Sequence, residues 1–274
     1  AADGSGMELT TYDGTSWADI AANAPSSANG TYTWAIPGTT SKNTCKIRIT
    51  ASNPLQPSTA VESGAFWVHG KVVVDAPLAA AKWVVGAAQD ITYTVSGKID
   101  NVNIAYAKDG ATFSYSVASN VAVLSGSNTT PWTLPTNQDI LSAGSVAKIR
   151  VTDAAWPTVY GTSAAFMVKG ALNITAPLAA DKITYGGVPY SITWAAPTGP
   201  IAKVRIFYST NDGVTYPNEL TTADGVDVSP ATFAWDVPNE IGKQMKIKIQ
   251  DQANADTSAE SGAFSIIGAL SLAA

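Results

Sequence analysis

The residues of this 274-residue chain whose chemistry could go beyond packing are few: eight tryptophans, one histidine, one cysteine and some turn carboxylates. A nucleophilic or acid–base site needs partners, and His69 has no accompanying Ser or Asp motif that would make a triad. In the repeats described below its place is taken by Lys169 and Ile267, so His69 reads as a surface side chain. No glycine-rich phosphate loop, paired-carboxylate pattern or metal-ligand spacing stands out. No catalytic residue and no cofactor is expected. Calcium is the one metal to weigh, because Asp13, Asp109 and Asp212 each sit at a turn and Asp251-Gln-Ala-Asn-Ala-Asp256 is a compact polar loop. Calcium requires six to eight oxygens, however, and that loop occurs in one repeat only, so turn chemistry is the preferred reading.

Two aromatic sets recur. Trp34, Trp132 and Trp235 are each followed two residues later by Ile36, Leu134 or Val237, and Trp17, Phe113 and Tyr216 each stand four residues after an Asp. Either set could stack on a sugar ring; the apolar residue on the same strand face favours a core role. Trp67, Trp83 and Trp156 do not recur and are expected at the surface or an interface, since a residue that the core demands should appear in every copy. The outward stripe of Lys46, Arg48, Lys148, Arg150, Lys246 and Lys248 also recurs. It reads as a solvated face that discourages edge-to-edge pairing, or as a ladder facing an acidic neighbour or a glycan. Cys45, the single cysteine, opens a strand and reads as a buried thiol. Asn29, Asn128 and Asn173 fit the N-glycosylation tripeptide.

These residues are positioned by a tandem repeat. Ser63-Gly-Ala-Phe66, Ser163-Ala-Ala-Phe166 and Ser261-Gly-Ala-Phe264 lead to Gly70, Gly170 and Gly268, which lie 100 and 98 residues apart. That is the size of one small sandwich domain. The expected division is 1–70, a partial repeat; 71–170 and 171–268, two whole ones; and 269–274, the first strand of another. Counting back from Asp13 against Asp212 places residue 1 near Pro200, so the first repeat should lack its first strands and the chain reads as an excerpt of a longer array. In the last repeat Tyr190–Trp194, Val204–Tyr208, Thr232–Pro238 and Met245–Asp251 alternate apolar and polar residues at period two, with a tight turn at Asn211-Asp212-Gly213. Trp34 to Pro37 is expected to match the Thr232–Pro238 strand. No helical period occurs. The predicted class is all-β, with tandem immunoglobulin-like sandwiches of about 100 residues.

Composition narrows the function classes. A net charge of −5 without a clustered basic footprint argues against nucleic acid. No apolar run approaches the roughly 20 residues of a bilayer span. With 46% hydrophobic residues and 14% charged, the chain can build cores and resembles secreted β-proteins in composition. The first residues carry neither an initiator Met nor a signal peptide, so a segment upstream is expected.

Ile192-Thr-Trp194, Phe233-Ala-Trp235-Asp-Val237-Pro238, Lys246-Ile-Lys-Ile249 and Ser261-Gly-Ala-Phe264-Ser-Ile266 resemble the immunoglobulin-like and fibronectin-III-like repeats of microbial surface proteins, including the Kre9/Knh-type domain. The resemblance implies a non-enzymatic extracellular or cell-surface protein that serves as a filament subunit, sheath component or adhesin stalk. The alternative is a set of carbohydrate-binding modules attached to a secreted enzyme or adhesin. The expected partners are copies of itself and, in the alternative, surface glycan. Ala269, Leu270, Ser271 and Leu272 form an edge that could pair with another chain's incomplete first repeat.

Overall fold

The structure, a computed structural model, describes residues 7–12, 15–24, 31–38, 42–51 and 60–269. All of its regular elements are β-strands, and among the described residues no helix is long and apolar enough to cross a membrane. The fold is that of tandem immunoglobulin-like sandwiches, and the period-two alternation accounts for their strands.

In the middle repeat one sheet has the order Tyr115–Ala122, Asn101–Ala107, Lys148–Asp153, Tyr160–Thr162. The facing sheet has the order Gly126–Thr133, Ala88–Ser96, Lys71–Ala76, and Met167–Lys169 runs parallel to Lys82–Val84 alongside. Alternate residues point inward, so Ile91, Tyr93 and Val95 from one sheet meet Val102, Ile104, Tyr106, Ile149 and Val151 from the other. The last repeat builds a separate core in the same way from Ile192, Trp194, Val204, Ile206, Ile247, Ile249, Phe264 and Ile266.

The Ser that opens each closing strand has a mechanical role. The Ile149 N–H donates to Ser163 Oγ (3.0 Å), Ser163 O–H donates to the Ala164 carbonyl (2.8 Å), and Ser163 N–H donates to the Ile149 carbonyl (2.8 Å). Ser63 with Ile47 and Gly64, and Ser261 with Ile247 and Gly262, make the same three bonds. This clasp joins the closing segment to the central strand. Ser163→Ala leaves the buried Ile149 N–H without an acceptor, so it is expected to cost about 1–3 kcal/mol. Thermal unfolding should register this as a drop of roughly 4–8 °C per kcal/mol for a domain of this size. Ser63 is exposed, and Ser63→Ala should cost less.

The first repeat differs. Its strands Trp17–Ala24, Met7–Tyr12, Lys42–Ala51 and Ala60–Glu62 lie side by side in that order, with Phe66–Val68 also on Lys42–Ala51. Thr31–Gly38, which carries Trp34 and Ile36, is not a strand, contrary to the expected match with Thr232–Pro238. The reason is pairing: Gly126–Thr133 and Thr232–Trp235 are held by Ala88–Ser96 and Tyr190–Trp194, and among the described residues of the first repeat no strand takes that place. The core of the first repeat differs as well. Ile49 is 40% exposed where its counterparts Val151 and Ile249 are fully buried, and Trp34 is only half-buried.

Candidate functional site: the repeat junctions

The outward cations and the aromatics that follow the turns form one arrangement. The Arg48 guanidinium lies 3.7 Å from the Trp17 ring centre, Arg150 lies 3.8 Å from Phe113, and Lys248 Nζ lies 4.6 Å from Tyr216. The remaining members of the stripe are also engaged or shielded. Lys46 and Arg48 share Glu62, whose carboxyl Arg48 holds below its usual range, and Lys246 pairs with Asp212 at 3.1 Å. Lys148 and Arg150 are half-buried. The stripe is therefore largely committed within each repeat, and the aromatics of the second recurrent set lie beneath its cations.

Trp132 and Trp235 are core residues: Trp132 packs against Tyr106, Tyr115 and Trp83, and Trp235 against Tyr208 and Phe264. Trp83, expected at the surface, is instead 7% exposed and stacks edge-on against Phe166 at 4.8 Å. The position does recur. It is occupied by Ile183 in the last repeat, which is equally buried, so the core demanded an apolar residue there and not a tryptophan.

The turn carboxylates serve the backbone. Asp109 is held down to about 2 by the Thr112 hydroxyl and by N–H donation from Thr112 and Ala111. Asp153 and Asp251 are buried at equivalent turns, where Oδ1 accepts from Ala155 and Ala253 N–H respectively; burial raises the Asp251 carboxyl. Asp13 lies outside the described residues. Among the described residues no group of three or more His, Cys, Asp or Glu is placed to hold a metal ion. Cys45 is buried on the strand that pairs with Phe66, and His69 is exposed with Nδ1 2.6 Å from the Gly70 carbonyl. Ala269 is exposed; Leu270, Ser271 and Leu272 lie outside the described residues.

The other two non-recurrent tryptophans meet each other. Trp67 on the first repeat and Trp156 on the middle repeat pack edge to face, 5.3 Å between ring centres. Met167 and Asn254 stand at the equivalent positions of the next junction and are also in contact, Asn254 Nδ2 lying 3.9 Å from Met167 Sδ. Beside them Asp256 of the last repeat accepts from Lys82 at 2.7 Å, and Lys169 Nζ donates to the Asp256 carbonyl at 2.7 Å. The loop weighed for calcium thus supplies an ion pair across the junction, and the Lys82 hydrogen bond lowers the Asp256 carboxyl.

The centre of each junction is backbone against backbone. Gly70 and Gly170 are both buried. A Cβ on Gly70 would lie 2.5 Å from Ile99 Cγ1 and 2.9 Å from the Ser96 carbonyl oxygen. On Gly170 it would lie 2.8 Å from Ile201 Cδ1 and 2.9 Å from the Thr198 carbonyl oxygen. The turn that presses on each, Ser96-Gly97-Lys98-Ile99 and Thr198-Gly199-Pro200-Ile201, has its glycine at positive φ, +81° and +95°. A Cβ on Gly97 would come within 3.0 Å of Gly70 Cα, and one on Gly199 within 3.0 Å of Val85 Cγ2 and 3.7 Å of Leu141 Cδ2. The following repeat thereby seats a Gly-x-Ile turn on the end of the one before it. The Gly-x-Ile spacing that the two turns share is the sequence signal from which this contact could be found.

No protein-family model matches the chain, and no curated protein matches it. Similar solved structures include fibronectin(III)-like modules of Clostridium thermocellum CbhA, 15% identical over 72% of this chain and 94% of that one, with a TM-score of 0.26. An I-band fragment of titin is 11% identical over 96% and 88%, with a TM-score of 0.37. Extracellular domains 3–5 of Drosophila OTK are 10% identical over 98% and 87%, with a TM-score of 0.33. At these identities the likeness is one of fold.

Proposed function

We propose that the chain is a segment of a non-enzymatic extracellular structural repeat protein, a stiff spacer in a surface filament, sheath or adhesin stalk, divided at Gly70, Gly170 and Gly268. The observation that carries this reading is the junction. A one-glycine connection with the next repeat's turn packed on it, flanked by Trp67–Trp156 or by Met167–Asn254 and Lys82–Asp256, leaves neighbouring repeats little freedom to swing. Composition supports an extracellular setting, and the sequence resemblance to Kre9/Knh-type repeats supports a microbial surface. Self-association into a polymer belongs to the same reading.

Electron microscopy of the native surface material tests it. A regular fibre or sheath with an axial feature of about 35–45 Å per repeat is the expected result. Dispersed, flexible particles would overturn it in favour of carbohydrate-binding modules. Of the three non-recurrent tryptophans, Trp67 is the exposed one, at 41%, and is the one that would face a glycan in that reading.

A further inference from the structure

The end of the last repeat reproduces, uncovered, the surface on which the middle repeat seats its successor. Tyr185 N–H donates to the Ile267 carbonyl (2.9 Å), just as Val85 N–H donates to the Lys169 carbonyl (3.0 Å), so Tyr185 is the counterpart of Val85. Ile241 precedes the residue paired with Ile266, and Leu141 precedes the residue whose N–H bonds the Val168 carbonyl, so Ile241 is the counterpart of Leu141. In the middle repeat this face is closed: Val85 is 3% exposed and lies under Gly199, and Gly170 is buried. In the last repeat Tyr185 is 39%, Ile241 65% and Ile267 36% exposed, and Gly268, 3.4 Å from Ile241 Cδ1 at its Cβ position, is open. Clustered apolar side chains on a surface mark an interaction site.

We infer that the face formed by Tyr185, Ile241, Ile267 and Gly268 is a docking surface for a further β-sandwich repeat joined directly after Gly268, which seats its Gly-x-Ile turn there. The occupant follows from the two junctions on view: both seat the same Gly-x-Ile turn on the closing glycine, and the second also seats it on Val85 and Leu141. The turns at Gly97 and Gly199 are already seated on Gly70 and Gly170, so the occupant brings a turn of its own. The inference rests on the stiff-array reading and names the contact that would continue it.

The test is to extend the whole chain after Gly268 with a second copy of residues 171–268, and to compare it with a chain carrying a flexible Gly/Ser spacer at that point. Hydrogen exchange and small-angle scattering read the outcome. In the directly joined chain, exchange at Ile241 and its neighbours should slow by about tenfold or more, and the scattering should fit one narrow arrangement of the last two repeats. Ile241→Asp should abolish both effects, while leaving the melting of the unextended chain unchanged because Ile241 is exposed there. Directly joined repeats that fold but swing as freely as those with the spacer, with no added protection at Ile241, would overturn the docking surface. The unextended chain, measured alongside, reports the Gly70 and Gly170 junctions. Freedom there would instead overturn the stiff-array reading.

Discussion

Trp132→Ala is expected to destabilise the middle repeat by about 3–5 kcal/mol, enough to bring a domain of ordinary stability close to unfolding. The indole fills the space between Tyr106, Tyr115 and Trp83, with centroid separations of 5.2, 6.0 and 6.2 Å, and no neighbour can collapse into that volume without leaving its own packing. The loss should be confined to the middle repeat, because the last repeat has its own core around Trp235. Denaturant unfolding followed by NMR should therefore show the middle transition at lower denaturant and the last transition unmoved. Trp67→Ala provides the contrast: Trp67 is 41% exposed and touches Trp156 across the junction, so its loss should loosen the first junction with little change in either core. If Trp132 were instead a sugar-stacking residue, its alanine variant would keep full stability.

The sequence carried the strands and turns because period-two alternation and Asp-Gly turns are local signals. Tyr190–Trp194 and Lys203–Ser209 lie almost where the alternation puts them. What it carried poorly is anything dependent on a partner far away in the chain. Trp34-Ala-Ile36-Pro37 has the residues of a strand, but a strand exists only as a pair, and among the described residues of the first repeat none pairs with it. Trp83 departs from its expected surface position for a related reason: recurrence of residue type is stricter than recurrence of volume, and a tryptophan and an isoleucine can fill the same core position of two repeats when their surroundings differ. Non-recurrence likewise sets Trp67 and Trp156 apart from the core but does not pair them. Each junction solves its own contact, Trp on Trp at the first and Met on Asn at the second, so no repeat signature marks them. The stripe of cations is legible as a pattern but not as a stack, because its aromatic partners lie 31 to 37 residues away in the chain.

Gly170→Val and Gly268→Val are the same substitution in the same motif, and they should behave oppositely. At Gly170 the new Cβ meets the Thr198 carbonyl oxygen at 2.9 Å, a backbone atom held in place by its bond with Ala171, as well as Ile201 Cδ1 at 2.8 Å, which belongs to the last repeat's core. The two methyls of valine add to a clash that cannot be relieved by turning one side chain. Overpacking of this kind costs about 1–3 kcal/mol, here drawn from the last repeat, and it pushes the Thr198-Gly199-Pro200 turn off Val85 and Leu141. Small-angle scattering should show the middle and last repeats losing their fixed arrangement, and calorimetry should show the last repeat melting earlier. At Gly268 the nearest atom to the new Cβ is Ile241 Cδ1 at 3.4 Å, an exposed side chain that can move aside, so Gly268→Val should leave both measurements unchanged in this chain. Equal tolerance at the two positions would mean that the Gly170 contact does not fix the repeats, and the case for a stiff spacer would fall with it. Were Gly268→Val neutral here but disruptive once a further repeat is joined after it, the glycine would be explained by the junction it makes and not by the strand it ends.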